Sequence, residues 1–171
     1  MAVREIIKMG HPTLLKVAEP VEEFNTSELN KIVEDMIDTM RENDGAGLAA
    51  PQVDLSMQLI VFGFDSNDRY PEAEQVPFTV LINPIISPID DEEESGWEGC
   101  LSIPGLMGVV PRYKKINYKG KDQFGNEIDR NVDGFHARVV QHEYDHLIGK
   151  LYPMRIKDLS QFGYLDTLAK E

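Results

Sequence analysis

Two histidines four residues apart around a glutamate, His142-Glu143-Tyr144-Asp145-His146, constrain this chain more than any other feature. At about 100° per residue, His142 and His146 stand roughly 40° apart on one helix face. Their imidazoles can then reach one metal ion from adjacent turns. Glu143 falls at the edge of that face, placed to touch water beside the ion rather than the ion itself. Hydrolytic metalloenzymes use this arrangement: the ion acidifies water and the carboxylate takes its proton. The bland alternative is a solvated polar helix that carries two histidines by coincidence. The chain has only four histidines, and two of them fall at this spacing.

Such a site needs a third ligand. The extended protease pattern H-x-x-G-x-x-H is met at Gly149 but fails at Tyr152, where its last histidine would stand. A downstream acid is the other protease solution, with Asp166 as the candidate, and it would make the chain a metallopeptidase. Cys100 is the better candidate. A lone cysteine is usually a small buried hydrophobe, but beside H-E-x-x-H its thiolate is a strong ligand for Zn²⁺ or Fe²⁺. A Cys/His/His set leaves one coordination position open, which marks a catalytic site. A third reading, a non-enzymatic module stapled by the same residues, is disfavoured by the adjacent Glu143. A thiolate also makes the ion a weaker Lewis acid than three neutral imidazoles would, so help is expected at the substrate oxygen. Gln52 can donate a side-chain N–H there, and the Leu101 amide can be a second donor. Gly45 and Gly47 would let backbone approach substrate closely, although a helix stop and a turn explain them equally well.

The rest of the composition excludes classes rather than naming one. A length of 171 residues fits a single domain. A net charge of −13 argues against tight, nonspecific nucleic-acid binding, which needs many Lys/Arg–phosphate contacts. No apolar run approaches the ~18 residues of a membrane helix, and the start shows no secretory pattern. The single cysteine rules out an internal disulfide and fits a reducing, cytoplasmic setting.

Periodicity predicts a helix over 25–42. Leu29, Ile32, Val33, Met36, Ile37 and Met40 form its apolar face, with Asn25 as cap and Glu28 as capping-box partner. Pro12 opens a short helix to about residue 18. Strands are expected over 57–64 and 78–87, with a polar loop at 65–75 and a solvated acidic turn at 90–94. Residues 114–119 and 127–132 read as a hairpin around Asp122-Gln123-Phe124-Gly125-Asn126. A helix over 134–148 carries the histidines. A last helix over 158–170 would turn Leu159, Phe162, Leu165 and Ala169 inward. This makes an α+β domain, its mixed or antiparallel strands set around a central metal-binding helix.

Three segments taken together, Gly45–Gln52, Glu98–Ser102 and Gln141–His146, closely resemble in order and spacing the signature motifs of peptide deformylases. The resemblance extends over nearly the whole chain. It implies an α+β fold and removal of the formyl group from N-terminal formyl-methionine of new polypeptides. It also implies that Cys100, His142 and His146 hold the metal, with Fe²⁺ native and Zn²⁺, Ni²⁺ or Co²⁺ able to replace it. Glu143 would serve as general base and then acid. Gln52 and the Leu101 amide would hold the oxyanion, and the Gly47 backbone the substrate chain. The substrate's methionine would enter an apolar pocket of Ala46, Phe135 and Val139. Many bacterial members continue into a basic C-terminal helix that docks on the ribosome. Here the chain closes on Leu168-Ala169-Lys170-Glu171, so docking by that route is not expected, and a monomer is. Arg138 resembles the mitochondrial-type branch. His136 lies off the ligand face and is expected to be structural or exposed.

Overall fold

The computed structural model describes residues 2–168. Eight strands form two antiparallel sheets. β1 (Gly47–Ala49), β2 (Leu59–Phe64), β3 (Val76–Pro88), β6 (Lys115–Lys121) and β7 (Glu127–Asp133) pair in the order β1-β2-β3-β6-β7. β4 (Glu93–Cys100), β5 (Ile103–Tyr113) and β8 (Phe162–Tyr164) form the smaller sheet in the order β4-β5-β8. Of the three α-helices, α1 (Ser27–Glu42) packs on β1 and β2, whereas α2 (Gly134–Leu147) touches strands of both sheets. α3 (Leu165–Leu168) is a single turn against β5 and β8.

α2 is polar in sequence yet buried on almost every side. Ala137, Val139, Val140 and Leu147 join the core, and Arg138, Gln141, Glu143, Asp145 and His146 are buried with them. A helix covered all round must satisfy its polar groups internally, and that requirement organises the site. β1 and β4 are edge strands of the two sheets, so the cleft between the sheets opens onto α2.

Several elements differ from the sequence reading. α1 is capped by Thr26, whose hydroxyl accepts from the Leu29 N–H at 3.0 Å. Asn25 instead turns the chain at φ +56°, a conformation asparagine tolerates. The Pro12 helix is a single 3-10 turn, Pro12–Leu15, because Val17 and Ala18 bond to the segment after α2. β4 and β5 lie where no strand was expected; the run 90–94 turns at Asp90-Asp91 and enters β4 at Glu93. Glycines and prolines at 96, 99, 104, 105, 108 and 111 dilute the strand signal there. The helix expected over 158–170 is a 3-10 turn (Leu159–Gln161), then β8, then α3. The edge of β5 captures residues 162–164 as a partner, and Phe162 packs beside Leu14, Ile103 and Tyr152. Leu159 and Leu165 are exposed; Ala169 and Lys170 lie outside the described residues. The hairpin and the helix that carries His142 and His146 stand where expected.

Candidate active site

Cys100 ends β4, His142 and His146 lie on α2, and their ligand atoms all fall within 4.8 Å of one another. Sγ of Cys100 is 3.5 Å from Nε2 of His146. Among the described residues this is the one group of three such side chains that close. Asp166 is exposed on α3 and takes no part in the group, so the protease-type ligand set is not what the fold assembles. Tyr152, standing where the extended protease pattern puts a histidine, stacks on the His142 ring instead.

A buried carboxylate fixes His142. Nδ1 of His142 lies 2.8 Å from Oε1 of Glu98. Arg112 holds both Glu98 oxygens at 2.9 Å, and Nη1 of Arg138 donates to Oε2 at 2.7 Å. Burial alone would raise the Glu98 pKa, but the Arg112 charge and the bonds from Arg112 and His142 hold it well below the usual range. An ionised carboxylate only accepts, so Nδ1 carries the proton and Nε2 is left for the cavity. Arg112 also bonds Asp145, which takes two more bonds from Arg155. Burial works to lower the His142 pKa, but hydrogen bonds to Cys100 and Glu98 raise it well above the ordinary value. Imidazole ligates only when deprotonated, so a bound cation competes with that proton. Burial, with the neighbouring His142 charge, lowers His146 well below its ordinary value.

Glu143 sits beside the group, its Oε1 3.9 Å from Nε2 of His142. Its Oε2 is buried with no hydrogen-bond partner among the described residues. Burial pushes its pKa up to about 7. Gly47 makes room for it: a Cβ there would stand 2.8 Å from Cγ of Glu143. Likewise a Cβ on Gly45 would stand 2.9 Å from a Leu101 methyl. The two glycines are thus needed for contacts inside the protein, a reason the sequence alone does not disclose.

Gln52 is buried at the same cavity. Its Oε1 accepts from the Ala49 N–H at 2.9 Å, and its Nε2 lies 3.1 Å from Oγ of Ser102 and 3.5 Å from Sγ of Cys100. Leu101, Ala46, Gly47, Phe135 and Val139 line the cavity with it, while Gly45 faces a separate cavity on the Phe64 and Phe78 side. His136 is half-buried, 2.9 Å from the Tyr118 hydroxyl.

Sequence reasoning missed Glu98, Arg112 and Asp145 as a unit, and missed Arg69 and Tyr70, which also line the cavity. Glu98 stood two residues before Cys100, and a carboxylate so near a buried ligand needs cations; that was the available signal. Nothing in the polar segment 65–75 marked it as part of the site.

A model of the family described as polypeptide deformylase matches residues 3–162. Peptide deformylase 2 of Ralstonia nicotianae is 59% identical over 99% of this chain and 96% of its own length. Peptide deformylase 1 of Bordetella pertussis is 57% identical over the same shares. Among solved structures, a Met-Ala-Ser-bound class I type b peptide deformylase of Acinetobacter baumannii superposes with a TM-score of 0.87. It is 38% identical, with 91% of this chain and 99% of that one covered. The Thermotoga maritima peptide deformylase gives 0.82 at 38% identity, covering 92% and 100%. A match of this extent, on a fold that brings the three motifs to one cavity, shows that the chain belongs to the polypeptide deformylase family, metal-dependent hydrolases that remove the N-formyl group from newly made polypeptides.

Proposed function

We propose that the cavity beside α2 is the deformylation site, with Cys100, His142 and His146 holding one divalent ion, natively Fe²⁺. The observation that carries this reading is the convergence of the three ligand atoms within 4.8 Å next to a buried, unpartnered Glu143 oxygen. One thiolate and two imidazoles suit Fe²⁺ and equally Zn²⁺, Ni²⁺ or Co²⁺. When bound, the ion supplies Lewis acidity to the formyl oxygen and acidifies water.

The remaining steps belong to the chain's own side chains. Glu143 takes the proton from the attacking water and returns it to the leaving amine. A carboxyl pushed to about 7 can do both near neutrality. The Nε2 hydrogen of Gln52 that makes only a 3.5 Å contact with sulfur turns to the oxygen as charge develops there, and the Leu101 amide supports it. Ala46, Phe135 and Val139 receive the methionine side chain, and the Gly47 backbone carries the peptide. That a neighbour of this fold was solved with Met-Ala-Ser bound supports a peptide of this kind in this cleft.

Cytoplasmic action on nascent chains, as a monomer, belongs to the same reading. The lone cysteine and the acidic balance support it. Among the described residues no helix is long and apolar enough to cross a membrane. The test is formate release from formyl-Met-Ala-Ser by metal-loaded protein, run beside the unformylated peptide. Formate from the first and no cleavage of the second is expected; peptide-bond cleavage of the second would return the metallopeptidase reading.

A further inference from the structure

The segment 65–75, a polar loop with no role in the reaction as set out above, is pinned at two points across the cleft. Asn67 is buried; its side-chain N–H₂ donates to the Asp44 carbonyl at 3.1 Å, and its oxygen accepts from the amides of Arg69 and Tyr70. On the other side, the Gly99 N–H donates to the Tyr70 hydroxyl at 2.9 Å. The loop therefore runs from the start of the β1 segment to the free edge of β4, and it carries Tyr70 into the cavity.

There the Tyr70 ring packs against Phe135, with centroids 4.9 Å apart, and Phe135 is backed by Phe64 at 5.9 Å. Behind this layer lies an open groove of about 570 Å³, with Trp97 and Met107 among its walls. Four residues line both spaces: Arg69, Tyr70, Phe135 and Arg138. They are the partition between the enclosed cavity and the outer groove. Arg138 is fixed by Glu98, the Val110 carbonyl and the Glu94 carbonyl. Gly96 beside it leaves no slack, since a Cβ there would stand 3.1 Å from the guanidinium carbon. Arg69 and Tyr70 are the members of the wall carried by a loop rather than by the core, and of the two it is Tyr70 whose ring packs on Phe135.

We infer that Tyr70 is the specificity-determining residue that closes the far end of the side-chain pocket and sets the longest first residue the enzyme accepts. The inference rests on the reading of this cavity as the deformylation site. A side chain long enough to reach this wall must push the Tyr70 ring aside and break its bond to Gly99. A hydrophobic pocket discriminates by about 10–200-fold per methylene when the wall is rigid, and two anchors make this wall rigid. Without the ring, the cavity and the groove merge and a longer chain extends into the groove.

The experiment compares kcat/KM for formyl-Met-Ala-Ser and for the same peptide with 2-aminooctanoate, a six-carbon side chain, in place of methionine. Wild type is expected to lose at least tenfold on the longer residue. Tyr70→Leu is expected to recover most of that factor, Tyr70→Phe, which keeps the ring but loses its bond to Gly99, to recover a smaller part of it, and Trp97→Ala, which alters only the groove, to keep the wild-type ratio. A wild type that accepts both residues equally overturns the inference without any variant. So does a Tyr70→Leu protein with an unaltered ratio. No formate from wild-type protein on either peptide would instead overturn the reading of the site itself, and the inference with it.

Discussion

Oε1 of Glu98 lies 2.8 Å from Nδ1 of His142, and the same carboxylate is held by Arg112 and Arg138 in the core. One buried charge thereby orients His142, a proposed metal ligand, and joins β4, β5 and α2. Glu98→Gln leaves Arg138 without its anionic partner and Arg112 with Asp145 alone. Breaking a buried pair from one side costs about 3–5 kcal/mol, and losing a partner that orients a ligand costs about 10–100-fold in metal affinity. Urea unfolding and metal titration of the variant should show both losses. Full stability with wild-type affinity would show that His142 is oriented by α2 alone. The acid limb should change as well. The folded pKa of Glu98 lies below its ordinary value, so its contribution is complete above about 4.5 and is lost as pH falls toward the folded value. Glu98→Gln should flatten that part of the stability curve.

Gly47→Ala should impair turnover while sparing the fold. The new Cβ would stand 2.8 Å from the Glu143 side chain, which can swing away more easily than backbone can move. The expected result is a kcat lowered in the direction of Glu143→Ala, with metal content and melting temperature near wild type. Glu143→Ala itself should keep the ion and lose about 10²–10⁴-fold in rate, the usual range of general acid–base catalysis. Loss of metal from Glu143→Ala would make Glu143 a ligand and contradict its assignment.

Gln52→Leu should lower kcat by roughly 10²–10³, the effect of removing one oxyanion donor. Binding of the peptide should change little. Because Gln52 also accepts the Ala49 N–H in the core, a stability loss of about 1–3 kcal/mol should accompany it. A raised KM at constant kcat would instead assign Gln52 to ground-state binding.

His136 gives a second pH dependence, away from the site. Burial and the Arg130 charge lower its pKa to about 4. Unfolded, it titrates near 6.5. The neutral ring's contribution is therefore whole above about 6.5 and declines as pH falls from there toward about 4. Melting temperature followed across that window should fall less steeply in His136→Gln than in wild type. Parallel curves would mean that His136 is as readily protonated in the folded protein as in the unfolded chain.

The grouping of the candidate site residues was more legible in the sequence than the fold that surrounds them. His142, Glu143 and His146 were legible because helical spacing alone places them together. The hairpin at 122–126 was legible because Asp, Asn and Gly mark turns at short range. β4 and β5 were hidden because six Gly and Pro positions mask the strand pattern, and pairing with each other outweighs that weak propensity. The C-terminal segment was misread because its apolar residues sit at helical steps, yet the open edge of β5 claims Phe162, Gly163 and Tyr164 as a strand. Tyr70 was beyond reach for a different reason. Its role depends on Phe135, far along the chain, and no local pattern encodes such a meeting.

Removing the ion separates an enzyme from a metal-stapled module. Cys100 is positioned by β4, and His142 and His146 by α2. Both elements are anchored by clusters that contain no ligand but Cys100, and Glu98 and Arg112 compensate each other without a cation. Chelation is therefore expected to abolish formate release while the near-ultraviolet circular dichroism stays native. The melting temperature should fall by an amount that grows with the free metal concentration of the reference sample, as mass action requires. Cys100→Ser should behave as a partial version of chelation, because a neutral hydroxyl replaces a soft anion and weakens the site. Air oxidation of Cys100 past the sulfenic stage should do the same irreversibly, with metal and activity leaving together. Mass spectrometry of the peptide carrying Cys100, taken alongside metal content and rate, checks the last point. Unfolding on chelation would mean that the ion holds the fold together, and the three donors would then be a structural clasp.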